Sequence, residues 1–357
     1  MKSMEKKKTN ISLLAAAKVR QSGLFLSVKR GVQELGQLRP VKKEISPMPK
    51  AQRPLTVSVI ICTSGRWKGL RDAAASALKE NSGGEVLVVW NRPDGNPEAL
   101  LPSGVRWVRE SKPGLSFARN RGAACAKGEF LLYMDDDAVA GTGFASQIKD
   151  AFLRRPKAAV IGGQIYLPLP SPVPEAVLPG HEGLWSAYTV SFRQYRTVHE
   201  QYAFPYGACF AVRSSALHAV GGFPENYGRV GTGFEGGEET ALCFLMRQRG
   251  WEIGVQPSAW VEHRVDPRRF TREHVKNTLR AGIFTTFRLC RDGYAPWNWD
   301  SAYLKKRMLL AAQELSRLRR KGTEMECFYK KCERDAFAEL WLAVSNKNTA
   351  AEGSALC

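Results

Sequence analysis

Gly128–Glu129–Phe130–Leu131–Leu132–Tyr133–Met134 runs straight into Asp135–Asp136–Asp137. An apolar run without polar alternation reads as a strand buried on both faces. Three carboxylates cannot continue that core, so they mark the strand's carboxyl end. Working outward, Val57–Ser58–Val59–Ile60–Ile61–Cys62 and Glu85–Val86–Leu87–Val88–Val89–Trp90 have the same character, and Val105–Arg106–Trp107–Val108 is a third candidate strand upstream. Between them, the Ala-rich stretch Leu70 to Leu78 and the stretch Leu115 to Ala126 read as helices. Strands alternating with helices imply βαβ units and a mostly parallel α/β sheet covered on both faces. Ligands of such sheets bind beyond the carboxyl ends of the strands. The segments to examine are therefore Thr63–Ser64–Gly65–Arg66, Asn91–Arg92–Pro93–Asp94–Gly95 and the three aspartates.

Three consecutive carboxylates repel one another unless a cation sits among them. Hard oxygen donors of this kind suit Mg²⁺ or Mn²⁺ bridging to substrate phosphates; the alternative is a solvated acidic turn. Gly236–Gly237–Glu238–Glu239–Thr240 opens a helix through Ala241, Leu242, Leu245 and Met246. Its glutamates either complement the helix dipole or face a ligand that the glycine pair lets approach the backbone. Trp260–Val261–Glu262–His263 closes another apolar segment, and its histidine is either structural or a metal ligand.

The chain has 357 residues with 53 Lys+Arg against 34 Asp+Glu, a formal net charge of +19 that suggests nucleic acid or an anionic membrane as partner. Its distribution decides between them. Residues 1–50 carry +9 and residues 264–334 carry +10, whereas 51–263 carry only +2. No zinc-finger spacing, basic heptad or RNP-like run accompanies the charge, which argues against nucleic acid. No apolar run approaches the roughly 18–20 residues that span a bilayer, and Lys18 and Arg20 interrupt the faint signal-peptide pattern at the N-terminus. The eight cysteines include no CxxC pair and read as reduced thiols of a cytosolic protein. The first 50 residues are an amphipathic surface helix or a tail.

Three ordered stretches, Thr56 to Thr63, Lys112–Pro113–Gly114–Leu115–Ser116–Phe117–Ala118–Arg119–Asn120–Arg121–Gly122 and Gly128 to Asp137, resemble the family 2 glycosyltransferases. Tyr206 to Arg213, Val220 to Glu225 and Gly236 to Thr240 are similar to that family's later segments. The resemblance covers about residues 55–265. It implies a GT-A fold, α/β with a Rossmann-like, mostly parallel central sheet flanked by helices. Residues 1–54 would be a basic extension and linker, 55–265 the transferase domain and 266–357 a C-terminal helical extension.

The resemblance further implies an inverting transfer from a nucleotide-diphosphate sugar, a UDP-sugar first, to a glycan or lipid-linked acceptor. Such chemistry builds bacterial polysaccharides or glycolipids in the cytoplasm or at the inner membrane face. Asp137 and His263 would hold Mg²⁺ or Mn²⁺, and Asp135, with Asp136 in support, would bind the nucleoside. Glu239 stands at the catalytic-base position, and Glu238 would contact the acceptor. Thr63 and Arg66 would line the nucleotide pocket with Asn91, and Arg119 would approach the base or diphosphate.

Three departures stand out. Cys62 replaces a frequent Pro, Glu239 replaces the usual Asp, and Trp90 precedes Asn91 where the family usually has Asp. Trp90 either stacks on the nucleobase or packs as core. The Pro-rich, aromatic stretch 164–205 is a lid or a packed insertion. Arg291 to Trp299, with Trp297 and Trp299, is a membrane-interface anchor or a packed turn. Rival readings are a nucleotidyltransferase of similar fold, for which Thr63 to Arg66 is too short a loop, and a degenerate transferase that binds without turnover. A basic nucleic-acid-binding protein comes last. The basic flanks suit anionic headgroups and make a peripheral membrane surface a further expected partner.

Overall fold

The computed structural model describes residues 46–65, 69–199 and 203–353, with side-chain environments to Asn346. Arg66, Tyr202 and the basic segment 1–45 lie outside the described residues. The strands are β1 (Val57–Thr63), β2 (Glu85–Trp90), β3 (Arg106–Arg109), β4 (Phe130–Asp135), β5 (Ala138–Ala140), β6 (Ala158–Tyr166), β7 (Arg196–Thr197), β8 (Phe210–Arg213) and β9 (Glu252–His263). The helices are α1 (Leu70–Glu80), α2 (Leu115–Cys125), α3 (Phe144–Arg154), α4 (Ser214–Ala219), α5 (Glu238–Gln248), α6 (Arg272–Arg291), α7 (Ser301–Lys321) and α8 (Glu324–Gly353).

The described strands form one sheet in the order β3-β2-β1-β4-β8-β6-β9-β5, with β7 also on β9. The half β3-β2-β1-β4 is parallel throughout, as alternation of strand and helix predicts. Val59, Ile60, Ile61, Leu87, Val88 and Leu131 are fully buried there, which is why these strands read as unbroken apolar runs. The other half is mixed. β8 runs antiparallel to β4 and β6, β5 and β7 run antiparallel to β9, and β6 and β9 are parallel. Only two residues separate β4 from β5, too few for a crossover, so the chain turns away and β5 joins the far edge. The arrangement is an α/β GT-A architecture with C-terminal helices.

The aromatic part of stretch 164–205, within the described residues, is packed rather than a free lid. Trp185 is fully buried and Tyr188 nearly so, and the Tyr188 hydroxyl donates to the Ala203 carbonyl at 2.7 Å. Trp185 also anchors a second apolar cluster, with Val265, Val275, Leu279, Met325 and Tyr329, that joins this stretch to α6 and α8. Trp297 and Trp299 are buried too. Trp297 lies edge-on to Phe244 at 5.9 Å, and Trp299 packs on Tyr303 and Phe337. The membrane-anchor alternative for them is thereby excluded, since their rings lie in the core that joins the extension to α5.

Side-chain caps open α6 and α7. Thr271 accepts from the His274 N–H at 3.1 Å, and Asp300 from the Tyr303 N–H at 2.8 Å. A buried ion-pair network ties α7 to α8, with Glu333 accepting from Arg307 at 3.1 Å and from Lys330 at 2.6 Å. The cysteines among the described residues are free. No described helix is long and apolar enough to cross a membrane.

Candidate active site

The parallel strands end together. Thr63 is aligned with Trp90, and Cys62 with Asp135, so three loops leave the sheet from one edge. Asp136 and Asp137 then turn the chain into β5, whose Ala138 pairs with His263 at the end of β9. That register is what brings His263 to the aspartates. Its Nε2 lies 2.9 Å from Asp137 Oδ1 and 4.0 Å from Asp135 Oδ2. Its Nδ1 lies 3.0 Å from the Trp185 carbonyl. A carbonyl only accepts, so Nδ1 carries a proton and Nε2 is the nitrogen aimed at the carboxylates.

Asp135, Asp137 and His263 each offer a ligand atom, and these atoms lie within 4.8 Å of one another. Burial and the neighbouring Asp137 raise the Asp135 carboxyl. Burial acts the same way on Asp137, yet the hydrogen bond and charge of His263, with Arg269 at 3.7 Å, hold it below its usual range. Burial would lower His263, but its bond to Asp137 raises it. By themselves these residues favour an imidazolium paired with a carboxylate, the Nε2 proton standing where a cation would. Two carboxylates and an oriented imidazole fit Mg²⁺ or Mn²⁺, whose binding displaces that proton.

Asp136 faces another way. It accepts a short hydrogen bond from the Thr63 hydroxyl, which in turn accepts from the Gly65 N–H at 3.0 Å. Burial raises its carboxyl to about 7 despite that bond, and Asp137 and Asp135 add to the rise. Trp90 forms the floor under the same loop. Its Nε1 donates to the Asp94 carbonyl at 2.8 Å, and Gly65 sits over the ring at φ +70°, where a Cβ would collide with it. The ring is buried, which resolves its two readings in favour of packing. Asn91 donates to the carbonyls of Glu110 (3.0 Å) and Lys112 (2.7 Å) and accepts from the Gly114 N–H at 3.0 Å. Its amide therefore holds the loop that leads into α2.

The second carboxylate cluster is built at the start of α5. Gly237 adopts φ +100° just before the helix, and a Cβ there would come 2.5 Å from Thr285 Cγ2 on α6. Only glycine fits that turn, which aims Glu238 and Glu239 inward. Arg119, on α2, meets both: its Nη1 lies 2.6 Å from Glu238 Oε1 and 3.4 Å from Glu239 Oε2. Arg119 and Glu238 are buried, whereas the Glu239 side chain is 19% exposed. The Gly207 N–H donates to Glu239 Oε1 at 3.1 Å.

One proton is shared in this cluster. Burial and the Glu239 charge raise Glu238 to about 8, and the protonated acid hydrogen-bonds Glu239. Glu238 Oε2 is buried and has no hydrogen-bond partner. Burial would raise Glu239 as well, but the Arg119 guanidinium lowers it and keeps it ionised. Two sequence expectations look different in this light. Arg119 is an internal counter-ion turned toward the glutamates rather than toward a diphosphate. Glu238 is sealed behind Glu239 and has no open face for an acceptor.

Four contributors left no mark in the sequence. Trp185 fixes the His263 tautomer through its carbonyl, and Gly207 holds Glu239 through its N–H; backbone groups leave no signal in residue type. Arg269 stands beside Asp137 in an Arg-rich stretch without a motif, and Arg229 lies within electrostatic reach of both Arg269 and Glu239.

Residues 58–221 match the family model for glycosyl transferase family 2. The chain is 23% identical over 223 residues to the glucosyl-dolichyl phosphate glucuronosyltransferase of Haloferax volcanii, covering 59% of this chain and 70% of that protein. It is 26% identical over 290 residues to the N-acetylglucosaminyl-diphospho-decaprenol L-rhamnosyltransferase of Mycobacterium tuberculosis, covering 71% of this chain and 91% of that protein. Among solved structures, a mannosyltransferase from Pyrobaculum calidifontis in complex with GDP-Man and Mn²⁺ aligns with a TM-score of 0.47 and 17% identity, over 93% of this chain and 86% of that one.

Proposed function

From the premise that the chain is a member of glycosyl transferase family 2, we propose that it moves a sugar from a nucleotide-diphosphate sugar to a hydroxyl of a lipid-linked acceptor, with inversion at the anomeric carbon. The observation that carries this reading is Glu239. It is an ionised, partly exposed carboxylate, held between the Arg119 guanidinium and the Gly207 N–H.

Glu239 takes the proton of the acceptor hydroxyl as that oxygen bonds to the anomeric carbon from the face opposite the diphosphate. The bond between the anomeric carbon and the diphosphate oxygen breaks in the same displacement, and the nucleoside diphosphate departs. Developing oxocarbenium character places positive charge near the carboxylate. Asp135, Asp137 and His263 would hold Mg²⁺ or Mn²⁺, which when bound neutralises charge on the leaving diphosphate. Arg269, beside Asp137, adds a fixed positive charge on that side.

Thr63 and Asp136 shape the loop over β1 and hence the nucleotide side of the cleft. Because Trp90 replaces the usual carboxylate and lies in the core, the nucleobase must be read by other groups, and a UDP-sugar is the first donor to test. Two relatives, named a glucosyl-dolichyl phosphate glucuronosyltransferase and an N-acetylglucosaminyl-diphospho-decaprenol L-rhamnosyltransferase, support the lipid-linked acceptor. An acceptor of that kind would put the enzyme at the cytoplasmic membrane face, in polysaccharide or glycolipid assembly. The testing experiment is transfer from a radiolabelled nucleotide sugar to a short-chain polyprenyl-diphospho-sugar, with and without Mn²⁺. A product that requires Mn²⁺ and has inverted configuration supports the reading; no product from any acceptor in the presence of a hydrolysed donor refutes the acceptor class.

A further inference from the structure

The outward face of α7 breaks the pattern that its inner face obeys. Tyr303, Leu304, Ala311 and Leu315 are buried, as an amphipathic helix requires. Yet Leu309 and Leu310, on the opposite side, are 48% and 44% exposed. Around them on the same side stand Lys305 and Lys306 toward one end and Arg317 and Arg320 toward the other, all exposed. At 1.5 Å per residue the stripe from Lys305 to Arg320 runs about 22 Å. Glu314, which pairs with Arg317 at 2.6 Å, is the sole acidic residue of α7.

Ordinary explanations for this charge cover only part of it. Cations in a helix's last turn complement the macrodipole, which accounts for Arg319, Arg320 and Lys321. Lys305 and Lys306 sit near the other end, where the dipole does not favour them. On neighbouring α6, Arg272 pairs with Glu175 and Glu324, Arg280 with Glu339 and Arg291 with Asp292, while exposed Lys276 has no such partner among the described residues. No described carboxylate lies within ion-pair distance of Lys305 or Lys306. Lys305 lies instead over the ring of half-buried Trp341, at 5.5 Å from its centroid, and Leu342 beside that residue is 52% exposed.

We propose that this face of α7 is a docking surface for an anionic lipid bilayer, with Leu309 and Leu310 entering the headgroup boundary and the flanking lysines and arginines contacting lipid phosphates. Two adjacent exposed leucines inside a basic stripe match the apolar and ionic halves of an interfacial helix. Electrostatic attraction is worth about fivefold in binding for each Lys or Arg near the headgroups, so the lysine pair governs affinity for charged membranes. The leucines govern affinity that salt does not remove. The inference rests on the reading that the enzyme meets its acceptor at a lipid surface, but its test is binding without donor or acceptor. Its failure is therefore separable from failure of the transfer reaction.

The experiment is co-sedimentation of the full chain with phosphatidylcholine vesicles, alone or mixed with phosphatidylglycerol, at low and high salt. The expected result is binding to the mixed vesicles only, weakened tenfold or more by Lys305→Glu with Lys306→Glu, on the order of the electrostatic increments above. Leu309→Ser with Leu310→Ser should weaken binding while leaving its salt dependence in place. Lys127→Glu with Lys149→Glu, an equal charge change on the transferase domain, should change binding far less. Thermal melting should change little in all three, since every substituted side chain except half-buried Lys149 is exposed. The proposal is overturned if the wild-type chain ignores phosphatidylglycerol, if the α7 variants bind like wild type, or if the Lys127 and Lys149 pair weakens binding equally. Retention by the α7 variants with loss in Lys6→Glu, Lys7→Glu and Lys8→Glu would likewise overturn it and assign the contact to the N-terminal segment.

Discussion

Two carboxylate clusters lie within electrostatic reach of each other and are balanced in opposite ways. At the start of α5, Glu238 and Glu239 share one proton and one fully buried guanidinium, so the cluster carries its own cation. At the end of β4, Asp135, Asp136 and Asp137 have a histidine and a more distant Arg269. One of these carboxyls is pushed up to about 7 by burial and its neighbours. The α5 cluster is electrically closed and leaves one ionised carboxylate, Glu239, partly exposed. The β4 cluster is balanced by the His263 proton and by Arg269 at its edge, and a divalent cation can replace that proton. A closed cluster suits proton transfer and an open one suits holding a charged leaving group, so the division of labour follows from where the positive charge is built in.

The largest expected effect comes from opening the β4 cluster further. Asp137→Ala removes the carboxylate closest to His263 and should reduce transfer by on the order of 10³-fold or more, several kcal/mol of transition-state stabilisation. It should also abolish the response to Mn²⁺; assays titrated with Mn²⁺ check both. Glu239→Gln should reduce transfer by about 10²–10⁴-fold while leaving nucleotide binding, followed by calorimetry, within error of wild type. Arg119→Met acts on the α5 cluster as a whole. Removing one partner of a buried ion pair should cost about 3–5 kcal/mol of stability, measured by urea unfolding.

The smallest effect sharpens the comparison most. Glu238 is already protonated near neutral pH, so Glu238→Gln keeps a donor toward Glu239 and should change activity little, in contrast to the neighbouring position. Its signature is in stability against pH. The folded acid titrates near 8 and the unfolded one near 4.5. Between those values the folded state keeps a proton that the unfolded state releases, so stability falls as pH rises through the window. Glu238→Gln should flatten that fall, seen as a smaller drop in Tm between pH 5 and pH 8.

How much of this was legible differs between the clusters. Asp135 to Asp137 could be placed at a strand end because Phe130 to Met134 is unmistakably apolar, and β1, β2 and β4 fall within a residue or two of their apolar runs. The antiparallel half of the sheet left no comparable trace, since short strands such as β5 and β8 are specified by pairing partners distant in sequence. His263 could be singled out as a residue type, but its meeting with Asp137 depends on the β5–β9 register. Arg119 shows the limit most clearly. Its position in α2 could be read, whereas the direction of its guanidinium depends on the turn at Gly237, more than a hundred residues away. Trp90 ends strand β2 and Asn91 follows it, as expected, yet Trp90 bonds to the Asp94 carbonyl and Asn91 to the backbone of Glu110, Lys112 and Gly114, a geometry that spacing does not encode.

The central claim is that the two clusters together drive metal-dependent departure of a nucleoside diphosphate. Its most direct test is nucleoside diphosphate release from a panel of UDP-, GDP- and dTDP-sugars by the full chain, with Mn²⁺ or with EDTA, for wild type and Asp137→Ala. The account predicts release from at least one donor, dependent on Mn²⁺ and lost in the variant. Release that persists in EDTA and in Asp137→Ala, or no release from any donor, would contradict it.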